Sequence, residues 1–133
     1  MAEESPEVQA VRHVYELWNR GDITAFTDAL HPEISWRTMD FDAEERTFNG
    51  RDAVREFLES FVSQTGPSTL EPERLIQVGE RVVAPLVSRT PDADAAATGT
   101  QLQMTALWTV KDGLPVAFRL FFDIEKALAS ARR

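Results

Sequence analysis

The stretch TGTQLQMTALWTVKDGLPVAFRLFFD, Thr98 to Asp123, decides the fold. Apolar and polar residues alternate from Thr98 to Val110, Lys111-Asp112-Gly113 interrupts the run, and alternation resumes from Val116 to Phe122. Successive side chains of a strand point to opposite faces, and Asp-Gly supplies the backbone angles of a tight reversal, so the pattern predicts two long antiparallel strands. In the first of them Leu102, Met104, Ala106, Trp108 and Val110 share one face, while Gln101, Gln103, Thr105, Leu107 and Thr109 share the other. The first set suits a core. The second is polar yet uncharged, as a subunit interface often is.

Upstream, Ser5-Pro6-Glu7 reads as a helix start: a hydroxyl that caps free amides, a ring with a pre-set backbone angle and an acid against the positive helix end. Val8, Val11, Tyr15 and Trp18 recur at three- and four-residue spacing, Val14 and Leu17 widen the stripe, and Gly21 stops it. Asp22 caps a second, shorter helix with Ile23, Phe26, Ala29 and Leu30 inward, and Pro32 marks its end. Ile34, Trp36 and Thr38 alternate with Ser35, Arg37 and Met39, which predicts a short strand. An acidic loop with Asp40, Asp42, Glu44 and Glu45 follows. Val54, Phe57, Leu58, Phe61 and Val62 then mark a third amphipathic helix, ended by Gly66-Pro67. Leu70 to Val78 and Arg81 to Arg89 read as a strand pair joined at Gly79-Glu80, with Pro72 and Pro85 implying edges or bulges. The run from Pro91 to Gly99 reads as a loop, and Asp123 opens a last helix, Ile124 to Ala131.

Three helices before a long closing hairpin predict an α+β fold in which a curved antiparallel sheet wraps around helices and leaves a hollow between. At 133 residues and 43% hydrophobic, the chain fits a single domain over residues 1–133. Eight Phe and three Trp supply bulky walls for its interior. With 22 acidic against 14 basic residues and a net charge of −8, the surface repels phosphate backbones and anionic membranes. Zero cysteines exclude disulfides and thiolate zinc sites, and His13 and His31 stand alone, so no metal or cofactor is expected. An acidic N-terminus and the lack of a long apolar run predict a soluble, cytoplasmic protein.

Several segments together are familiar: Asn19-Arg20-Gly21-Asp22, His31-Pro32-Glu33-Ile34-Ser35-Trp36, Phe48-Asn49-Gly50-Arg51, Trp108-Thr109-Val110-Lys111-Asp112-Gly113, and the Phe122-Asp123 close with Lys126-Ala127-Leu128. In combination they resemble the SnoaL-like branch of the nuclear transport factor 2-like superfamily, over nearly the whole chain. The resemblance implies a cone of curved sheet plugged by helices, a homodimer formed through the outer sheet face, and an apolar small molecule bound inside. It licenses no reaction by itself.

The chemistries of that superfamily are tested residue by residue. At the positions where ketosteroid isomerases carry a general base, a tyrosine and a second oxyanion donor, this chain has Thr38, Val14 and Ala106, which cannot relay that proton. The two aspartates of limonene epoxide hydrolases fall at Val83 and Leu120, and only Arg81 of that triad matches. Polyketide cyclases of the SnoaL type place an acid/base aspartate near Asp123. A carboxyl held in an apolar cavity keeps its proton and can pass it to a carbonyl oxygen; the competing role for Asp123 is to cap the last helix.

The expected site is therefore a pocket lined by Trp18, Trp36, Thr38, Phe61, Met104, Trp108, Leu120 and Phe122, with Asp123 as the catalytic candidate and Trp108 or Thr38 orienting a ligand oxygen. Tyr15 reads as core. Arg119, out of step with Phe118, Leu120 and Phe122, is expected on the outer face in an ion pair across a dimer interface. The competing expectation is a non-catalytic dimer that sequesters a ligand or docks another protein through its exposed sheet.

Overall fold

The computed structural model describes residues 5–37, 46–65, 69–89, 101–121 and 123–132. Helix α1 (Pro6–Asn19) starts where the sequence places it, with the Ser5 hydroxyl accepting the Val8 N–H at 3.2 Å. The chain leaves it through Gly21 at φ 79°, a left-handed conformation that glycine adopts without penalty. Asp22 caps α2 (Ile23–Asp28), its Oδ1 accepting the Ala25 N–H at 2.9 Å. Helix α3 spans Arg51–Thr65 and α4 spans Ile124–Ala131.

Strands β1 (Ser35–Arg37), β2 (Thr47–Asn49), β3 (Thr69–Pro72), β4 (Ile76–Val78), β5 (Arg81–Arg89), β6 (Gln101–Lys111) and β7 (Leu114–Phe121) form one sheet in the order β2-β1-β7-β6-β5-β3, with β4 also on β5. The β6–β7 hairpin turns through Asp112 at φ 55° and Gly113 at φ 79°, the pair of positive angles that matches strand twist in a two-residue reversal. The sheet curls over α1, α2 and α3, giving the expected α+β cone-like architecture with α4 as a fourth helix. No helix among the described residues is long and apolar enough to cross a membrane.

Three details depart from expectation. The sheet is not wholly antiparallel: β1 runs parallel to β7, with Trp36 opposite Phe118. Parallel neighbours need a long connection between them, which alternation within either strand cannot reveal. The strand expected over Leu70 to Val78 is two. Pro72 pairs with Leu86 and Ile76 with Val83, so Glu73, Arg74 and Leu75 face only Ala84 and Pro85. Pro85 has no N–H to donate, but its carbonyl accepts the Glu73 N–H at 2.8 Å and holds the irregularity in place. Third, β2 extends the sheet beyond β1 where only a loop and a motif were read.

The edge strand β3 is anchored by a side chain. Asn19, at the end of α1, donates from Nδ2 to the Leu70 carbonyl at 2.9 Å and accepts the Leu70 N–H on Oδ1 at 2.8 Å. This amide takes the place of a neighbouring strand and covers backbone groups that would otherwise template edge pairing.

The outer sheet face carries its own small core. Val83, Leu107 and Phe121 are buried beneath Ala127 and Ala131 of α4, whose small side chains let the helix lie close. Leu107, read from sequence as part of a polar face, is only 7% exposed for this reason. Arg81 Nη1 donates to the Ser130 carbonyl at 2.6 Å, a cation at the helix end where the dipole favours one. Arg119 lies on this face as expected, its guanidinium 4.7 Å from the centre of the Phe121 ring. The predicted Pro91 to Gly99 loop and the acidic loop through Asp40 and Glu45 fall outside the described residues.

Candidate ligand-binding site

Strand register builds the inner wall. Phe48 on β2 stands opposite Trp36 on β1, Trp36 opposite Phe118 on β7, Phe118 opposite Trp108 on β6, and Trp108 opposite Val82 on β5. Five strands thus place one transverse row of mostly aromatic side chains, because pairing aligns same-face residues across neighbours. Trp36 and Phe118 stack with centroids 3.8 Å apart and planes 20° apart. Trp108 meets Phe118 at 4.7 Å and Trp36 at 5.9 Å, both edge to face. The helices close over this row: Phe26 of α2 lies 6.0 Å from Trp36 and 5.5 Å from Trp18 of α1.

One polar contact is set into this apolar wall. Trp108 Nε1 donates to the Tyr15 hydroxyl oxygen at 2.9 Å, and the two rings meet edge to face at 5.8 Å. Trp108 is fully buried and Tyr15 is 3% exposed. Burial pushes the phenol's pKa well above its ordinary value, and the indole N–H pulls it back only in part, so Tyr15 stays a neutral hydroxyl. An indole has a single donor, and here it is engaged. Of the two groups expected to orient a ligand oxygen, the Trp108 donor faces Tyr15 in this structure, and Thr38 lies outside the described residues.

The expected lining residues divide. Trp18, Trp36 and Trp108 are buried in one inner cluster, with Met104 and Leu120 half-buried against it. Phe61 stands apart, 44% exposed on α3, where it leans on Phe57 at 6.2 Å, and Phe57 stacks on Phe48 at 4.5 Å. Thr38 and Phe122 lie outside the described residues. Asp123 is exposed at the start of α4, where its Oδ1 accepts the Glu125 N–H at 2.8 Å; the carboxylate caps that helix. Arg81 serves the other end of the same helix. His31 is held structurally, its Nδ1 accepting the Glu33 N–H at 2.9 Å and its backbone N–H donating to the Pro115 carbonyl at 2.8 Å.

Tyr15, Phe26, Phe48 and Phe118 belong to the interior but were absent from the expected lining. Phe118 shares its strand face with Leu120, so alternation was signal enough to find it. Tyr15 was visible only as one position of a helical stripe, since its partner lies 93 residues away. Among the described residues no group of three or more His, Cys, Asp or Glu side chains is gathered as a metal ion would require.

A helix-plugged curved sheet with an aromatic inner face defines an α+β cone of the nuclear transport factor 2-like class. Within that class, the SnoaL-like domain matches residues 11–118, and the chain belongs to the SnoaL-like family. Solved structures of similar fold cover almost all of it. A nuclear transport factor 2-like protein of unknown function from Burkholderia pseudomallei is 26% identical, with 95% of this chain and 97% of that one covered and a TM-score of 0.75. TerC, crystallised with polyporic acid, is 23% identical over 97% of this chain and 100% of its own, with a TM-score of 0.75. A putative polyketide cyclase from Xanthomonas campestris is 23% identical over 95% and 96%, with a TM-score of 0.69. No curated protein matches the sequence.

Proposed function

We propose that this SnoaL-like protein binds a small, largely apolar molecule within the conical interior of the fold. The observation that carries this reading is the transverse row Phe48, Trp36, Phe118 and Trp108, faced by the buried Tyr15. Binding sites for such molecules are mainly apolar and aromatic, with a few placed polar groups that fix orientation. TerC, whose fold is similar, was crystallised with a small molecule, polyporic acid.

Native mass spectrometry of freshly purified protein, followed by calorimetric titration with 2-ethylnaphthalene, tests the reading. A retained small molecule, or saturable one-site binding of the probe, supports it; an unliganded mass together with no binding heat removes it. Cyclase- or isomerase-like chemistry is a separate proposal in which Asp123 carries the proton. It is checked by Asp123→Asn, which keeps the cap and loses the exchangeable acid. Homodimerisation through the part of the outer sheet that α4 leaves open completes the proposal, with sedimentation velocity as its measurement.

A further inference from the structure

Of the edges of the sheet, β3 is closed and β2 is open. At β3 the outward N–H and carbonyl of Leu70 are taken by the Asn19 side chain, and Pro72, the next residue to face that way, has no N–H. At β2 the situation is reversed. Opposite residues of an antiparallel pair alternate between exchanging hydrogen bonds and not exchanging them. The Gly50 N–H donates to the Ile34 carbonyl at 2.8 Å, one step beyond the pairing of Ser35 with Asn49. Trp36 therefore exchanges bonds with Phe48, while Thr47 and Asn49 turn their N–H and carbonyl groups to the free side. Both residues are exposed, and among the described residues no backbone group takes those donors and acceptors. We propose that β2 is a docking edge at which an extended, basic segment of a partner protein adds as a further strand.

Side chains and charge name the occupant. On the inner side of this edge Phe48 stacks on Phe57 at 4.5 Å, Phe57 meets Phe61 at 6.2 Å, and Phe61 is 44% exposed. An added strand gains by placing an apolar side chain beside Phe48. A second copy of this chain would bring one net charge of −8 against another and is repelled, whereas a basic segment is drawn in. The arginines at this end are already engaged. Arg46 lies over the Phe48 ring at 5.6 Å, and Arg51 donates from Nε to the Leu30 carbonyl at 2.7 Å. Arg55 bonds Asp52 at 3.1 Å and comes within 4.0 Å of Glu59. Glu56 and Glu59 stand exposed on α3, within the same helix that borders the edge, and favour lysines flanking the added strand. The inference is independent of the guest in the interior.

The probe is the peptide acetyl-Lys-Lys-Thr-Phe-Thr-Lys-Lys-amide, titrated into wild type and Thr47→Pro by calorimetry. Proline at this position removes an N–H on the free side and leaves the ladder to β1 intact, so saturable binding should weaken about tenfold, the effect of one neutral hydrogen bond. Amide hydrogen exchange followed by NMR adds a readout that loose electrostatic attachment would not move: the Thr47 and Asn49 amides slow when the peptide is bound. The same peptide N-methylated through Thr-Phe-Thr keeps its charge, loses its backbone donors and is expected not to bind, which keeps the test decisive should Thr47→Pro not fold. Equal affinity for the N-methylated peptide, unchanged exchange at Thr47 and Asn49, or no binding of the probe overturns the proposal. Equal binding of acetyl-Glu-Glu-Thr-Phe-Thr-Glu-Glu-amide overturns the basic partner. Sedimentation velocity without peptide tests the other occupant: self-association that Thr47→Pro abolishes assigns the edge to a second copy and overturns the proposal as well. None of these outcomes bears on the interior site.

Discussion

The two faces of the same sheet are built on opposite terms. On the inner face, large rings from strands and helices touch one another, and the polar contact within that cluster joins Trp108 to Tyr15. On the outer face, Val83, Leu107 and Phe121 are covered by one short helix that approaches through alanines and is held at its end by Arg81. The contrast teaches that alternation in β6 assigns a side to each residue but not a neighbour. Trp108 and Leu107 are adjacent in sequence, yet one faces a wall of rings and the other the underside of α4.

Substitutions that attack each face sharpen this difference. Trp36→Ala removes the centre of the aromatic row and is expected to cost about 3–5 kcal/mol, read as a lower midpoint in chemical denaturation. A loss below about 1 kcal/mol would mean that the row is loosely packed. On the outer face Ala127→Leu forces bulk between α4 and the sheet and should cost about 1–3 kcal/mol, with partial loss of helix signal by circular dichroism. An effect near zero there would show that α4 does not lie tightly on Leu107.

Tyr15→Phe leaves the Trp108 N–H buried without its acceptor and should cost about 1–3 kcal/mol at neutral pH. The pH dependence of this position has a definite sign. The folded-state pKa is raised, so the unfolded chain releases the phenolic proton first, and the stabilisation is complete below the ordinary tyrosine pKa near 10 and lost as pH rises beyond it. Denaturation curves of wild type should therefore steepen their decline above about pH 10 relative to Tyr15→Phe, by up to about 1.4 kcal/mol per pH unit. Tyr15 is the only tyrosine, so near-ultraviolet tyrosinate absorbance reports it alone; ionisation at the ordinary pKa in folded protein would contradict its burial. The smallest effect belongs to Asp123→Asn, because the two side chains cap helices almost equally. Stability should change by less than about 0.5 kcal/mol, and a larger loss would show that Asp123 does more than cap α4.

Much of the architecture is legible in the sequence. The caps Ser5 and Asp22, the stop at Gly21, the Asp112-Gly113 reversal and the bounds of α4 all follow from chemistry within a few residues. The candidate site was legible only in part. Trp18, Trp36 and Trp108 could be assigned to the interior from periodicity, since hydrophobic period reports which face a residue occupies. Phe61 has the same periodicity on α3 and stands exposed, because period assigns a face to a residue and not the neighbour that would cover it.

The sequence by itself determined the local elements, their inward and outward sides, and an interior rich in aromatic rings, because caps, turns and alternation depend on contacts between near neighbours. Tertiary structure alone decided the parallel pairing of β1 with β7, the cover that α4 lays over Leu107, and the meeting of Tyr15 with Trp108. Each of these joins residues far apart in the chain, and their proximity is set by how the strands register and how the helices pack, which no short-range pattern encodes.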